Sequence, residues 1–342
     1  MNQNTNQNQQ IQPQKPEGPL VYSEKPKEGE PWDIAIIGSG PAGFTAAIYT
    51  TRGAASTVIL GGEAWGGQLM LTTEVDNYPA LPNIQGPLLM QKMKDHATSF
   101  GGEFVARNVE KVDFSKNPFE LSAGGKVYLA KSVIISTGAD TKWLGVPGED
   151  KLRGRGVSSC APCDAPFFKN KNVVVIGGGD SAMEEALVLT KYATSVTIIH
   201  RKSEFKASEA MQQRVFNEEK KGKIKIIWDT EVKEFLGEGK LEKVKMVNNK
   251  TNVASELVME GAFIAIGHIP ATKLFDGQVE LDEKGYVLVK DHTKTNVPGV
   301  FVAGDVHDYH YMQAVTAAGF GCMAAMDTLK HLDQIKEKET EA

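Results

Sequence analysis

The residues best suited to chemistry are two cysteines separated by two residues and followed at once by an acid, in the segment Cys160-Ala161-Pro162-Cys163-Asp164. Such a pair can close a small disulfide ring, and thiolate–disulfide exchange moves an electron pair through it. A carboxyl group beside the pair can supply or accept the proton that accompanies the exchange, which makes Asp164 a candidate acid–base residue. The segment therefore predicts a redox-active dithiol.

Two other interpretations of these cysteines remain open, namely half of a zinc site and a pair of inert buried thiols. Tetrahedral zinc takes about four nitrogen or sulfur ligands, whereas the one other cysteine, Cys322, is distant and no histidine lies within the segment. Cys322 is expected to be a packed residue of a helix rich in small residues. Three cysteines are too few for a secreted disulfide framework, which favours a reducing compartment, by default the cytoplasm.

A first nucleotide-binding fingerprint lies near the N-terminus. An apolar strand, 33–37, runs into a glycine-rich loop and then into a helical stretch, 44–52. Glycines in this setting allow a tight turn, a close approach of the backbone to a pyrophosphate and close packing of helix on strand, while the helix N-terminus faces the pyrophosphate. The loop residues are Gly38, Ser39, Gly40, Pro41, Ala42 and Gly43.

A second unit of the same kind follows the cysteines. A strand over 172–176, a glycine-rich loop, a helix over 183–192 and a strand over 195–199 are predicted. Glycines that serve only a turn are the alternative for either unit alone, but two such units in one chain favour two nucleotide sites. The candidate contacts of this loop are Gly177, Gly179, Asp180, Ser181 and Ala182.

The residues after the second unit are basic. An NAD-binding unit of this kind has an acidic residue about 20 positions beyond its glycines, which binds the ribose 2′-hydroxyl. Here the last strand is followed by His200, Arg201 and Lys202, with Lys206 close behind. Positive charge at this place suits a 2′-phosphate and predicts NADPH, although a solvated basic loop is the alternative.

Two further segments indicate a flavin. Near the C-terminus the strand GVFVAGD ends in Gly304 and Asp305 and precedes a helix rich in small residues. An acid there could bind a ribityl hydroxyl, and the helix N-terminus could stabilise negative charge on a reduced flavin. Glu63, after the strand that follows the first helix, is either a contact of the FAD adenosine ribose or a surface carboxylate.

The whole chain is expected to be an α/β protein with two Rossmann-like, three-layer nucleotide-binding domains. Its 342 residues suffice for at least two cores. A net charge of −5 argues against a nucleic-acid partner, and no apolar run approaches the roughly 20 residues that span a bilayer. Residues 1–30 are polar and lack the apolar core of a signal peptide, so they are predicted to be a disordered tail.

The predicted FAD-binding domain is discontinuous. It comprises 31–139 and 268–342, and the NADPH-binding domain, 140–267, is inserted into it and carries the dithiol. The joints fall near 137–139 and 267–270.

The chain resembles the low-molecular-weight thioredoxin reductases over residues 32 to 332. The motifs that carry the resemblance, in order, are GSGPAG, GGQL, TEVDNYP, ISTGA, CxxCD, GGGDSAMEEAL, HRK, AIGHIP, GVFVAGDV and YMQAVTAAGFGCMAA. The resemblance implies a homodimeric flavoprotein that passes electrons from NADPH through FAD to the disulfide and then to thioredoxin. It also implies a rotation of the NADPH domain, for which short joints would serve as hinges.

The family's site residues are transferred to matching positions of this sequence. Cys163 resembles the sulfur that meets the flavin, Cys160 the sulfur that exchanges with thioredoxin, and Asp164 the proton donor. The positions implied to contact FAD are Gly38, Gly40, Gly43, Gly67, Gln68, Leu69, Asn77, Asp305, Gln313 and Ala314, together with Thr137, Gly138 and Gly304. The positions implied to contact NADPH are Gly177, Gly179, Ala182, Arg201, Lys202 and Lys206.

The chain departs from the family pattern at three places. Lys202 and Lys206 stand where arginines are usual, and lysine lacks the bidentate fork of arginine, which weakens the expected preference for NADPH over NADH. Met312 stands where an arginine is usual, and Ala-Pro dipeptides occupy the dithiol and the segment after it. Two alternative functions remain: a ferredoxin- or oxygen-dependent dithiol oxidoreductase, and a redox sensor without turnover.

Overall fold

The protein was analysed as a computed structural model that describes residues 24–72 and 74–341. It is a mixed α/β structure with two large sheets, each packed against helices, as the sequence predicts. Of the predicted disordered tail, residues 1–23 lie outside the described residues. Within the described part of the chain, no helix is long and apolar enough to cross a membrane.

The first sheet has seven strands and is built from both ends of the chain. Across the sheet the strands are β3 (Glu103–Val105), β2 (Thr57–Leu60), β1 (Trp32–Ile37), β6 (Lys126–Ile135), β5 (Phe119–Ala123) and β4 (Val109–Asp113). A seventh strand, β17 (Val300–Val302), pairs in parallel with the C-terminal part of β6. The helices of this part are α1 (Pro41–Arg52), α2 (Gly86–Ser99) and α7 (Ala314–Glu341).

The second sheet has five strands, all parallel, and is built from the middle of the chain. The strands in order are β11 (Ile224–Ile227), β10 (Ser195–Ile199), β9 (Asn172–Gly177), β15 (Gly261–Ala265) and β8 (Val157–Ser158). The helices are α3 (Glu149–Leu152), α4 (Ala161–Asp164), α5 (Asp180–Leu189) and α6 (Glu209–Lys220). A three-stranded antiparallel sheet adjoins them, made of β12 (Thr230–Leu236), β13 (Lys243–Asn248) and β14 (Ala254–Val258).

Both glycine loops follow strands that are buried along most of their length. The last four residues of β1 and the last five of β9 are buried, as expected for central parallel strands covered on both faces. Both helices begin three residues earlier than the sequence predicts, at Pro41 and at Asp180. Proline suits the first helical turn because its φ is already helical and no N–H is needed there. The glycine loops are therefore short, and each helix N-terminus lies directly after its strand.

The two places where the chain passes between the large sheets lie side by side. The strand β7 (Ala139–Thr141) pairs antiparallel with β16 (His268–Pro270), and Ile269 lies opposite Asp140. Gly138 and Gly267, which flank this ribbon, have positive φ angles of 72° and 105°. The ribbon is short, and its flanking glycines adopt a backbone conformation that other residues avoid.

Helix α7 packs closely along α1 because its first half is rich in small residues. A Cβ atom on Gly321 would lie 2.2 Å from the carbonyl oxygen of Ala42, whereas a Cβ on Gly319 would meet nothing within 4 Å. The backbone of Ala42 belongs to the first turn of α1 and cannot move aside without shifting that helix. The close approach at Gly321 therefore fixes the start of α1, where the first glycine loop ends.

We expect Gly321→Ala to lower the free energy of unfolding by about 1–3 kcal/mol, because the added methyl group overpacks against a backbone carbonyl. The matched variant Gly319→Ala lies on the same helix and should raise it by about 0.5–1 kcal/mol, since alanine is the better helix former and has room there. Urea unfolding of both variants checks this. Equal effects of the two substitutions would contradict the close packing.

Candidate functional site

A cavity of about 710 Å³ lies where the first glycine loop, the dithiol segment and the end of β17 meet. Cavities of this size are typical of cofactor and ligand sites, which span roughly 300–1,000 Å³. The sequence-predicted residues that line it are Gly38, Ser39, Gly40, Pro41, Ala42, Gly67, Gln68, Leu69, Asn77, Thr137, Gly138, Cys160, Cys163, Asp164, Ser181, Gly304, Asp305, Gln313 and Ala314. The structure thus brings the dithiol, Ser181 of the second glycine loop and the predicted flavin contacts other than Gly43 and Glu63 to one cavity.

The first glycine loop has the form that a pyrophosphate requires. A Cβ on Gly38, whose φ is 115°, would lie 2.2 Å from the carbonyl oxygen of Ser136, and a Cβ on Gly43 would lie 2.3 Å from that of Gly38. These two glycines permit close backbone packing, while a Cβ on Gly40 would meet nothing within 4 Å. No side chain caps the first turn of α1, so its N–H groups are available to an anion at the cavity.

Asp305 lies at the cavity with a carboxylate oxygen, Oδ1, that is buried and has no hydrogen-bond partner among the described residues. Burial, and secondarily the negative charge of Asp308, raises the pKa of Asp305 to about 7. A buried acceptor without a donor is costly unless a ligand supplies the donor. A ribityl hydroxyl at this position would satisfy Oδ1, and the residues present therefore fit FAD.

The residues beside the open end of the cavity form a polar rim. Gln68 Nε2 donates to Asp140 Oδ1 at 2.9 Å, and Asn77 Nδ2 donates to Gln313 Oε1 at 3.2 Å. Gly67, which begins the short 3-10 turn Gly67–Leu71, has a φ of 66°, and a Cβ there would lie 3.9 Å from the Cα of Gly40. These contacts hold side-chain amides at the edge of the cavity, where they can reorient toward a bound group.

The side chains of two predicted FAD contacts, Ser39 and Glu63, are bonded to other residues of the protein. Ser39 Oγ donates to Gly61 O at 2.6 Å and accepts from Gly66 N at 3.0 Å, so its side chain joins the loops that form the cavity floor. Glu63 does not line the cavity and pairs with Arg107 at 3.3 Å, both side chains being exposed. The structure places Glu63 on the surface beside the loop, and its contact with the FAD adenosine ribose stays a prediction.

Cys160 and Cys163 form a disulfide, with an S–S distance of 2.11 Å. Cys160 is the N-cap of the short helix α4, and Cys163 lies in that helix. Cys163 Sγ lies 4.0 Å from Gln313 Oε1, which belongs to the segment before α7. The sulfur of Cys163 therefore faces the part of the cavity that the two ends of the chain provide. No cluster of possible metal ligands occurs among the described residues.

Asp164 is partly buried beside the dithiol. Its Oδ2 accepts a hydrogen bond from Ser158 Oγ at 2.5 Å, and Ser158 Oγ also accepts one from the backbone N–H of Cys160 at 3.1 Å. Burial raises the pKa of the Asp164 carboxyl, and the hydrogen bond from Ser158 opposes part of that rise. Asp164 consequently holds its proton to a higher pH than an exposed aspartate does.

A second buried acid, Glu185 on α5, also lines the cavity. Burial raises the pKa of Glu185 to about 8, the N–H of Ala161 at the start of α4 opposes the rise, and the negative charge of Asp164 adds to it. The Oε2 atom of Glu185 has no partner among the described residues. A neutral carboxyl group behind α4 avoids the placement of two buried negative charges beside the dithiol.

The basic cluster lies apart from this cavity, beside the second glycine loop. The N–H groups of Lys206 and Ala207 donate to Gly178 O at 2.7 and 3.1 Å. The ring of His200 fills the space over Gly178, where a Cβ would lie 2.2 Å from the ring. Arg201, Lys202 and Lys206 are exposed. None of these residues lines the cavity, and of the predicted contacts in the second glycine loop Ser181 does, so the basic cluster is separate from the cavity while the start of α5 reaches it.

The side chain of Asp180, a predicted contact of the second loop, is engaged with protein. Its Oδ1 accepts from Ser208 N at 2.9 Å and from Ser208 Oγ at 2.7 Å, which joins the start of α5 to the start of α6. These bonds lower the pKa of Asp180. The other residues of this loop are Gly177 and Ala182, which are buried at the end of β9 and the start of α5, and Gly179, where a Cβ would meet nothing within 4 Å.

Three residues of the site were missed by the sequence. Ser158 and Glu185 have no spacing that marks them, because their importance comes from contacts across elements. Gly178 lies inside the second glycine-rich loop, but its contact with His200 is non-local. Glu185 offers one signal, since it lies on α5 beside buried apolar residues, but an acid at such a position is usual on partly exposed helices.

The model of the pyridine nucleotide-disulphide oxidoreductase family matches residues 32–321. Among curated proteins, a thioredoxin reductase of Rickettsia conorii is 51% identical over 307 residues, which are 88% of this chain and 98% of that protein.

Among solved structures, a thioredoxin reductase from Giardia duodenalis matches with a TM-score of 0.84 at 42% identity, over 88% of this chain and 99% of that one. A Lactococcus lactis thioredoxin reductase in a form described as the FR conformation matches with a TM-score of 0.61 at 40% identity, over 89% and 99%. The chain therefore belongs to the pyridine nucleotide-disulphide oxidoreductase family and, within it, to the low-molecular-weight thioredoxin reductases.

Proposed function

We propose that this thioredoxin-disulfide reductase uses Cys160 and Cys163 as the exit for electrons that come from NADPH through FAD. The enzyme class and the two cofactors follow from the family. The observation that carries the assignment of residues is the position of Cys163 Sγ, 4.0 Å from Gln313 Oε1 at the cavity that fits FAD. The substrate of the class is thioredoxin.

We assign the binding of FAD to the chain's own cavity residues. Gly38, Gly40 and the start of α1 would hold the pyrophosphate, and Asp305 Oδ1 would accept a ribityl hydroxyl. When bound, FAD takes a hydride from NADPH and supplies an electron pair for the reduction of a disulfide. Arg201, Lys202 and Lys206 would bind the 2′-phosphate of NADPH by charge.

The chain's sulfurs then carry out two exchanges. Reduction of the disulfide breaks the bond between Cys160 and Cys163 and requires two electrons and two protons, one of which Asp164 can deliver. In the next step Cys160 gives up its proton, and its thiolate attacks the disulfide of thioredoxin to form a mixed disulfide and release one thioredoxin sulfur, which takes up a proton. Cys163 then gives up its proton, and its thiolate attacks Cys160 Sγ, which re-forms the internal disulfide and releases the second thioredoxin sulfur to be protonated.

Stopped-flow reduction by NADPH separates the cavity from the dithiol. We expect the flavin of Cys160→Ser and of Cys163→Ser to bleach as in the parent protein, while turnover of thioredoxin disulfide falls to background. Cys322→Ser is the control, because Cys322 lies on α7 outside the cavity, and it should turn over normally.

The same measurement separates the alternatives. A flavin that bleaches only with reduced ferredoxin would overturn the use of NADPH, and loss of bleaching in the cysteine variants would place the sulfurs before the flavin. Normal bleaching with no turnover of any disulfide in the parent would favour a redox sensor.

The role of Asp164 is tested by the pH dependence of turnover. Because burial raises the pKa of Asp164, the step that takes its proton should slow as pH rises through that pKa. Asp164→Asn should reduce disulfide turnover by about 100-fold, the size of a general acid contribution, and should remove this slope. Its free energy of unfolding at neutral pH should not fall, since the uncharged amide avoids the cost of burying a carboxylate.

Ser158→Ala is the matched variant for this test. The hydrogen bond from Ser158 lowers the pKa of Asp164, so its loss should move the fall in turnover to higher pH. An unchanged pH profile in both variants would mean that another group supplies the proton.

We further propose that the chain folds as two domains, with the joints at the ribbon of β7 and β16. The ribbon is the short, glycine-flanked link described above, and such segments absorb the backbone changes of a hinge. Two structures of similar identity match this chain with TM-scores of 0.84 and 0.61, which supports different arrangements of the two halves. A rotation would let the dithiol leave the cavity and the NADPH site approach it.

We also propose that the protein is a homodimer and that it works in the cytoplasm. Free Cys322 and the low cysteine content suit a reducing compartment, and the net charge of −5 gives no support to a nucleic-acid partner. Exposed apolar residues of α7, Val315, Met323 and Met326, recur at helical spacing, and Tyr49 of the adjacent α1 is 42% exposed. We call these four residues the α1/α7 face and propose that it binds a second copy.

Met326→Glu should weaken the dimer about tenfold or more, because burying an unpaired carboxylate in an apolar interface costs several kcal/mol. Val258→Glu on β14 is the control, since Val258 is 69% exposed against 60% for Met326 but lies in the separate antiparallel sheet. Light scattering across a dilution series reads out the mass. A parent protein that is monomeric at all concentrations would refute the dimer.

A further inference from the structure

The turn between β13 and β14, residues 249–253, lies against the basic segment that follows β10. Asn249 Nδ2 donates to the carbonyl oxygen of Arg201 at 3.1 Å, and the backbone N–H of Asn249 donates to Asp229 O at 2.6 Å. The backbone N–H of Asp229 in turn donates to the carbonyl oxygen of Lys202 at 3.2 Å. The turn and the residue that precedes β12 therefore fix the backbone of Arg201 and Lys202 from one side.

Lys250, in the middle of this turn, extends to the same segment. Its Nζ lies 2.9 Å from Asp229 Oδ2 and donates to Ser203 Oγ at 3.2 Å. Ser203 Oγ also donates to Asp229 Oδ1 at 3.0 Å. Since Ser203 directly follows Lys202, the ammonium group of Lys250 lies one residue away from the basic cluster. The side chain of Lys250 is 63% exposed, so a solvent-borne anion can reach it.

Two carboxylates lie close to the cluster and oppose its charge. Hydrogen bonding to Lys250 is the largest cause of the lowered pKa of Asp229, which is therefore ionised. Glu231 pairs with Lys233 at 2.6 Å, and the positive charge of Arg201 contributes to the lowered pKa of Glu231. A phosphate bound by Arg201 and Lys202 would be repelled by both carboxylates. Lys250 neutralises Asp229, the one that is bonded to the cluster's own segment.

We propose that Lys250 is a specificity-determining residue for the 2′-phosphate of the nicotinamide cofactor and that the 249–253 turn forms the outer wall of the 2′-phosphate site. The proposal rests on the NADPH site proposed above. Lys202 and Lys206 provide point charges without the bidentate fork of arginine. A further cation at the edge of the site adds a charged donor to the phosphate and screens a carboxylate that would otherwise weaken binding.

Binding of 2′,5′-ADP and of 5′-AMP to the intact flavoprotein tests this without turnover. The two ligands differ in the 2′-phosphate, and isothermal titration measures both. Lys250→Met should weaken 2′,5′-ADP binding about threefold to tenfold, as expected for one lost charged contact near the surface, and should leave 5′-AMP unchanged. The loss should shrink at high salt, because the contact is exposed.

Two matched variants complete the test. Lys245→Met removes the same charge from β13, where Lys245 pairs with Glu234 at 3.5 Å, and should change neither affinity. Asp229→Asn should tighten 2′,5′-ADP binding about threefold, because it removes the repelling charge and frees Lys250. The asparagine keeps an acceptor for Ser203 and tolerates the φ of 52° at this position.

The outcomes distinguish the proposed role of Lys250 from the proposed NADPH site on which it rests. A parent protein that binds 2′,5′-ADP no better than 5′-AMP has no 2′-phosphate site, and both proposals fail. A parent that prefers 2′,5′-ADP, with an undiminished preference in Lys250→Met, keeps the NADPH site and overturns the role of Lys250. A fall in melting temperature with equal losses for both ligands would assign Lys250 to the fold alone.

Discussion

The structure depends on backbone contacts that are too close for any side chain at three glycines. Gly38 lies against Ser136, Gly43 against Gly38, and Gly321 against Ala42, and at each a Cβ would come within 2.3 Å of a carbonyl oxygen. These contacts join β1, β6, α1 and α7 at one point. The first and last parts of the chain meet there, and the cavity exists because neither can be displaced.

The consequence is that the two walls of the cavity are carried by different sheets. The floor comes from strands of the first sheet, whose ends are fixed by parallel pairing over β1, β6 and β17. The dithiol wall belongs to α4, which the second sheet carries and which reaches the first part of the chain across the two-stranded ribbon of β7 and β16. The cavity therefore joins residues of the first sheet's part of the chain to a dithiol that the second sheet's part carries.

Much of the fold could be predicted from the sequence because its strongest patterns are local. The strand Ser195–Ile199 was predicted with the bounds that the structure has, and the strand–glycine–helix order was right in both units. The helix starts were three residues late because Pro41 and Asp180 were counted as loop, although both suit a first helical turn. The pairing of β7 with β16 is non-local, and nothing in either segment alone indicates its partner.

Site residues could be predicted where the chemistry requires a particular residue type. They could not be predicted where a residue's role depends on its neighbours in the folded structure. The functional cysteines, glycines and basic residues can be recognised in the sequence by their type and spacing. Ser158, Glu185 and Lys250 are ordinary polar residues whose roles come from contacts with residues at other places in the chain. The ionisable groups also depend on their neighbours. Asp305 and Glu185, whose pKa values are raised by burial, lie at the cavity.

At the exposed basic cluster the neighbouring lysines and arginine lower the pKa values of the nearby carboxyl groups. At the cavity, burial raises the pKa values of Asp164, Glu185 and Asp305, and a hydroxyl donor from a ligand would lower the cost of burying such a carboxyl. Around Arg201 and Lys202 solvent is close and direct ion pairs dominate, so Asp229 and Glu231 are ionised. The affinity of the basic cluster for a phosphate depends on the balance between attraction by nearby positive charges and repulsion by nearby negative charges. A lysine that cancels one carboxylate changes this balance, as does one that contacts the phosphate, and a turn distant in sequence can therefore affect the choice of cofactor.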